Sequence, residues 1–261
     1  MAAPDRRSLA FWSQRLSALA TELARGHRAA RRAALPHAHD TARPTGKGPP
    51  MSEIDVAGQL AAIHREVQLK AADTAPEGGD VVAVLLRREY TADAADVWDA
   101  LTAPDRLRRW FLPVTGDLRL GGTFQTEGNA GGEILTCDAP RLLRVTWGDA
   151  ASIVALRLTA LDADRTAVEL EHTVPVAFAG GGAGALYVGP GWDHSLLALD
   201  LHLTGHPDPS GVESGPQGPE IGRRSIAAWV EVVRASGTAT ADEVAAGEAA
   251  ALAQFAPAPQ S

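Results

Sequence analysis

Residues 142–147 read Leu142-Leu143-Arg144-Val145-Thr146-Trp147, and residues 166–174 read Thr166-Ala167-Val168-Glu169-Leu170-Glu171-His172-Thr173-Val174. Successive side chains of a strand point to opposite faces. Leu143, Val145 and Trp147 therefore share one face, with Arg144 and Thr146 on the other. By the same phase Val168, Leu170, His172 and Val174 lie opposite Glu169 and Glu171. Similar runs cover 115–120, 123–127, 132–137, 152–161 and 165–174, separated by Gly121-Gly122, Gly128 to Gly132, Ala139-Pro140, Gly148-Asp149 and Asp162-Ala163-Asp164. Short runs with turn signals between them predict a consecutively connected antiparallel sheet closed by hairpins.

Outside this block the period changes. Residues 81–89 are β-branched and aliphatic and predict one more strand. Residues 91–101, carrying Val97, Trp98 and Leu101, predict a helix ended before Pro104, and 105–111 a second that closes at Pro113. After Pro175 and a Gly-rich loop at 180–191, residues 191–203 place Trp192, Leu196, Leu199 and Leu203 on one helical face, stopped at Gly205 and Pro207. A curved antiparallel sheet with one long helix laid across it is a two-layer α+β sandwich. One helix does not fill the concave face of such a sheet, so an apolar cavity between the layers is expected. Leu197 and Leu201 add apolar surface elsewhere on the helix, which predicts cover from the helices at 54–67 or 221–255.

These residues resemble the opening of a known superfamily. Arg88-Glu89-Tyr90-Thr91-Ala92, Val97-Trp98-Asp99-Ala100-Leu101-Thr102 and Arg109-Trp110-Phe111 are similar to SRPBCC proteins, in the branch named for the activator of the heat-shock protein 90 ATPase homologue. Gly121-Gly122-Thr123-Phe124, Glu127-Gly128, Gly131-Gly132, Arg144-Val145-Thr146-Trp147, Leu170-Glu171-His172-Thr173 and Gly191-Trp192-Asp193 continue the resemblance in order across residues 80–205. It implies a helix-grip fold with an internal apolar cavity. No single activity follows, because members include lipid carriers, hormone receptors, polyketide cyclases and co-chaperone domains.

Four segments are expected. Residues 1–50 form a basic, flexible arm with nine Lys and Arg against Asp5, Glu22 and Asp40. Leu9, Trp12, Leu16, Leu19 and Leu23 give it a helical stripe over 8–24, and Pro44 to Pro50 read as linker. An organellar transit peptide, a membrane-surface helix and a start placed upstream of the natural Met51 compete for this arm, and the last is preferred. Residues 51–79 are a short helix, with Val56, Leu60, Ile63 and Val67 on one face, and a linker that includes the loop 73–80. Residues 80–205 are the helix-grip domain. Residues 206–261 are a linker followed by helices at 221–236 and 242–255.

Composition narrows the function. The net charge of −8 hides a body that carries the whole acidic excess, since residues 51–261 hold 15 basic and 29 acidic side chains. An acidic body argues against nucleic acid as a partner. No run of unbroken apolar residues is long enough for a membrane span. The single cysteine, Cys137, excludes a disulfide framework and a thiolate metal cluster, and points to a reducing, cytoplasmic compartment. Richness in Ala, Arg, Gly and Pro suggests a bacterial source. No metal or other cofactor is implied.

The expected ligand-binding residues are Trp110, Phe124, Trp147, His172, Trp192 and Leu196. His172 sits on the apolar side of its strand, where it either meets a ligand or serves as a satisfied core histidine. Asp193, with His194 beside Trp192 at the expected helix start, is read as a dipole-matching residue of the first turn. His202 and His206 are four apart, but Gly205 interrupts the helix, so they read as surface histidines rather than a zinc pair. Glu133 is a catalytic carboxylate only if inward, and its polarity favours the outward face. Gly180-Gly181-Gly182-Ala183-Gly184 lacks the Gly-Lys-Ser/Thr ending of a phosphate loop and reads as a flexible lid.

The function these residues favour is a soluble, non-catalytic domain holding a small hydrophobic or amphipathic molecule between sheet and long helix. A cyclase- or aromatase-like enzyme, moving protons through His172 or Glu133, is the second reading. A chaperone-regulating interaction protein, with a protein partner met through the C-terminal helices, is the third.

Overall fold

The computed structural model describes residues 54–71 and 79–257. The basic arm with its expected helix at 8–24, and most of the loop at 73–80, lie outside the described residues.

The first helix among the described residues, α1 (Val56–Ala61), is capped by Asp55. It stops well short of the expected residue 67 and gives way to strand β1 (His64–Ala71), paired antiparallel with β2 (Asp80–Tyr90). Ile63 and Val67 are four apart, a spacing that keeps two side chains on one face of either a helix or a strand. Pairing settles the choice, because without β1 the backbone edge of β2 would stand open.

β2 leads into α2 (Ala94–Thr102), capped by the Asp93 carboxylate, and α3 (Pro104–Trp110), which starts on a proline. The chain then re-enters the sheet at its far edge with β3 (Val114–Gly116) and runs back strand by strand. These strands are β4 (Thr123–Thr126), β5 (Gly131–Asp138), β6 (Leu142–Trp147), β7 (Asp149–Ala160) and β8 (Thr166–Pro175). The spatial order is β1-β2-β8-β7-β6-β5-β4-β3, and every neighbouring pair is antiparallel. The expected strand at 115–120 shrinks to β3, because Asp117 to Gly122 turn back on themselves through a Gly122 N–H to Arg119 carbonyl bond of 2.8 Å.

A short helix, α4 (Val176–Ala179), and a 3-10 turn at Gly182–Gly184 precede the long helix α5 (Ala185–Leu203). Helix α5 therefore begins six residues earlier than expected, with Pro190 inside it. Gly182, Ala183 and Gly184 are buried, and the Gly182 N–H bonds the Thr238 carbonyl at 3.1 Å. The glycine run is packed rather than a solvent-exposed lid.

After a 3-10 turn at Ser210–Val212 come α6 (Gly218–Ser236) and α7 (Ala241–Phe255), the latter opened by a Thr240–Glu243 capping box. Both pack on α5, whose Leu197 and Leu201 are buried as the cover argument requires. One continuous core joins the inner face of the sheet, α5, and the inner faces of α6 and α7. The other sheet face is polar, where Arg157 reaches Glu169 and Glu171 and Lys70 pairs with Glu171.

Candidate functional site

Where the inner face of the sheet meets α3 and α5, six rings form a contiguous cluster. Trp110, the last residue of α3, is buried and donates from Nε1 to the Ala100 carbonyl at 3.0 Å, which ties α3 to α2. Phe111 follows it out of the helix, its ring centroid 5.5 Å from that of Trp110 and 6.4 Å from that of Trp147. Phe124 on β4 lies 5.8 Å from Trp147, and Trp147 lies 5.3 Å from Trp192 on α5. His172 on β8 meets Trp192 edge-on at 5.8 Å. These separations are those of rings in contact. The rings themselves occupy the gap between sheet and helix here, where an open chamber was expected.

Burial grades across the cluster. Trp110, His172 and Trp192 are buried, whereas Phe111, Phe124 and Trp147 are half-buried and form its rim. Leu196 lies one turn beyond Trp192 on the same face of α5 and is buried in the core, its carbonyl accepting from the Tyr90 hydroxyl at 3.1 Å. Five of the six expected ligand-binding residues thus meet in one cluster, and Leu196 lies just below it. Phe111 was not among them. Its signal was adjacency to Trp110 at a helix end, where the backbone turns the next side chain back toward the sheet.

The chemistry of His172 follows from its partners. Its cross-strand neighbours are Val84 and Val154, and it is 3% exposed. Trp192 donates from Nε1 to His172 Nδ1 at 3.1 Å. An indole N–H only donates, so Nδ1 carries a lone pair and the proton sits on Nε2. Nε2 then donates to Ser152 Oγ, 2.9 Å away. Burial drives the imidazole pKa down to about 4, so the ring is neutral at physiological pH. It is a satisfied core histidine whose partners are side chains, and Ser152 receives a hydrogen bond instead of surrendering its proton.

A second polar centre was misread in the sequence. Asp193 lies in the middle of α5, fully buried, and not in a first turn. Arg65 Nε on β1 reaches both of its oxygens at 3.0 Å, Trp229 Nε1 on α6 donates at 3.1 Å, and the Ser225 hydroxyl donates as well. Burial raises the carboxyl pKa while the Arg65 charge and the Ser225 hydroxyl oppose the rise. Every partner is a donor, which is the setting of an ionised carboxylate. Two helical turns on, Asp200 pairs with the buried Arg88 at 3.0 Å. Both arginines also bond the end of α1, through the Leu60, Ile63 and Gln59 carbonyls.

The remaining candidates are peripheral. Glu133 is exposed on β5 and faces outward. His202 and His206 are half-buried and line a surface crevice of about 440 Å³ that none of the six rings lines.

The family described as Activator of Hsp90 ATPase homolog 1-like protein matches residues 91–204, which contain the whole aromatic cluster. Among solved structures, the crystal structure of CalU16 from Micromonospora echinospora is 33% identical over 66% of this chain and 99% of CalU16, with a TM-score of 0.54. The solution NMR structure of CalU16 gives 33% identity over 67% and 97%, also with a TM-score of 0.54. An HSP90 activator from Plasmodium falciparum is 21% identical over 34% of this chain and 71% of its own, with a TM-score of 0.32. No curated protein matches the chain.

Proposed function

We propose, from the premise that this chain belongs to the Activator of Hsp90 ATPase homolog 1-like family of the SRPBCC superfamily, that it binds a small hydrophobic or amphipathic molecule between sheet and α5 without transforming it. The observation that carries this reading is the half-buried rim of Phe111, Phe124 and Trp147, continuous with buried Trp110 and Trp192. Aromatic faces left wet beside a core are where an apolar molecule gains most by excluding water. Entry requires the rim rings to swing aside, so the ligand completes the packing instead of filling a preformed void. Trp110, Trp192, Leu196 and His172 form the floor on which it rests.

His172 supports holding over turnover. Both ring nitrogens are engaged, and a pKa near 4 leaves the ring a poor base. The C-terminal helices favour a ligand over a protein partner, because Ile221, Ile226, Trp229, Val230 and Val233 of α6 are spent on the chain's own core. Among the described residues no helix is long and apolar enough to cross a membrane. A single cysteine supports a reducing, cytoplasmic setting.

Native mass spectrometry of the purified full chain tests the reading. Extra mass that leaves on denaturation supports it, as does saturable binding of anilinonaphthalene sulfonate lost in Trp147→Ala and kept in Glu133→Gln, a change on the exposed outer face. A bare native mass together with no saturable binding of that probe overturns it.

A further inference from the structure

At the C-terminal end of α5 the helix closes with a left-handed residue. Gly205 has φ +79°, its N–H bonds the His202 carbonyl at 3.1 Å, and the His206 N–H bonds the Leu201 carbonyl at 2.7 Å. This closing motif satisfies the last carbonyls of the helix and turns the chain back on itself. His206 therefore returns beside His202 although the helix is broken between them. Together with Arg109 of α3, Gly205, Pro207 and Pro209, the two histidines line the crevice of about 440 Å³.

The hydrogen bonds fix which ring nitrogens are free. Arg106 Nε donates to His202 Nε2 at 3.2 Å, so the proton of neutral His202 is on Nδ1. The Asp208 N–H donates to His206 Nδ1 at 3.2 Å, so the proton of neutral His206 is on Nε2. Neither proton has an acceptor among the described residues. Arg106 is neutralised by Asp96 and Asp99, whereas Arg109 pairs with no carboxylate among the described residues. Asp208, the nearest acid in sequence, is turned to the Gly211 N–H at 2.9 Å and the Ser210 hydroxyl at 3.4 Å. No acidic residue lines the crevice. Burial chiefly, then the charges of Arg106 and Arg109, hold the His202 pKa down, while the Asp96 carboxylate opposes the shift.

We propose that this crevice binds a phosphate group, with Arg109 supplying the charge and His202 and His206 each donating one hydrogen bond. Three donor groups, one on α3 and two at the end of α5, suit the three or four terminal oxygens of a phosphate monoester or free phosphate better than the two oxygens of a carboxylate. A guanidinium without a partner, in a body that is otherwise acidic, is a site that an anion would complete. The proposal stands apart from the apolar-ligand reading, and neither depends on the other.

Titration of inorganic phosphate, phenyl phosphate and acetate into the full chain, followed by the histidine ring protons in NMR, tests it. His202 and His206 are expected to shift together and saturate with both phosphates, with acetate at least about tenfold weaker. Arg109→Ala should weaken phosphate by at least about tenfold, the loss of one charge-assisted contact. Its melting temperature should be unchanged, since Arg109 is exposed and unpaired. His206→Ala gives a second, milder loss. Tighter binding of phenyl phosphate than of the free ion makes the phosphate the head of a larger ligand, and equal binding makes it the ion itself. Either outcome supports the site. Shifts that do not saturate, that survive Arg109→Ala, or that acetate reproduces at equal strength overturn it.

Discussion

His172 shows how much a single buried side chain sets. An unfolded imidazole titrates at 6.5, and the native ring does so at about 4. Between those values the unfolded chain takes up a proton that the native chain refuses, so acidification favours unfolding. The stability contributed by the neutral ring is complete above pH 6.5, erodes as pH falls, and is lost near pH 4, in all roughly 3 kcal/mol. Urea melts of wild type and His172→Gln across that window should converge as pH falls, and a constant gap between them would refute the assignment. Trp192→Phe keeps the ring packing but removes the donor to Nδ1. It should cost about 1–3 kcal/mol for the orphaned lone pair, measured by the same melts. The inward face of His172 was legible from the alternation of residues 166–174. Its tautomer was not, because that rests on Trp192 and Ser152, twenty residues away on either side, and no spacing rule joins them.

Helix α5 carries most of what the sequence concealed. Gly189 and Pro190 read as loop residues, since glycine and proline disfavour a helix interior. Packing overrides that preference: a Cβ at Gly189 would fall inside the Trp229 indole, so only glycine lets α6 approach this closely. Gly189→Ala should therefore destabilise by about 1–3 kcal/mol despite its better helix propensity, read from thermal melts. Once the helix start was misplaced, Asp193 looked like a dipole-matching residue instead of a buried ion. Removing it alone, as in Asp193→Ala, leaves Arg65 charged and unpaired in the core and should cost about 3–5 kcal/mol. Replacing both partners, Arg65→Met with Asp193→Leu, should cost less than that single change, because no charge is then stranded. Denaturant melts of the two variants decide it, and a double variant no more stable than Asp193→Ala would mean that the pair is more than a compensated burial. By contrast, β6, β7 and β8 fell close to their expected bounds. Their pattern comes from one wet face and one dry face, which is a local signal.

For the molecule as a whole, the question is whether residues 206–261 are an appendage or part of the fold. The sheet occupies one face of α5 through Trp192, Leu196 and Leu199, and α6 and α7 occupy the opposite side, where Leu197 and Leu201 are buried. A chain ending at Gly205 would expose both leucines, at about 1.5–3 kcal/mol each. It would also strip Asp193 of Ser225 and Trp229, and lose the burial of Trp229, Ile221 and Ile226 against the rest of the core. Those losses together approach or exceed the 5–15 kcal/mol, in rough terms, by which a domain is stable. Such a chain should lose cooperative thermal unfolding and its near-ultraviolet tryptophan signal, while the full chain keeps both. A truncated chain that melted cooperatively at the full chain's temperature would make α6 and α7 separable, and would return them to consideration as a docking surface for a partner. The buried pairs Arg65–Asp193 and Arg88–Asp200 argue for the first outcome. They join β1, β2 and α1 to the same helix that α6 and α7 cover, so the flanking elements on both sides are held by shared ions in one core.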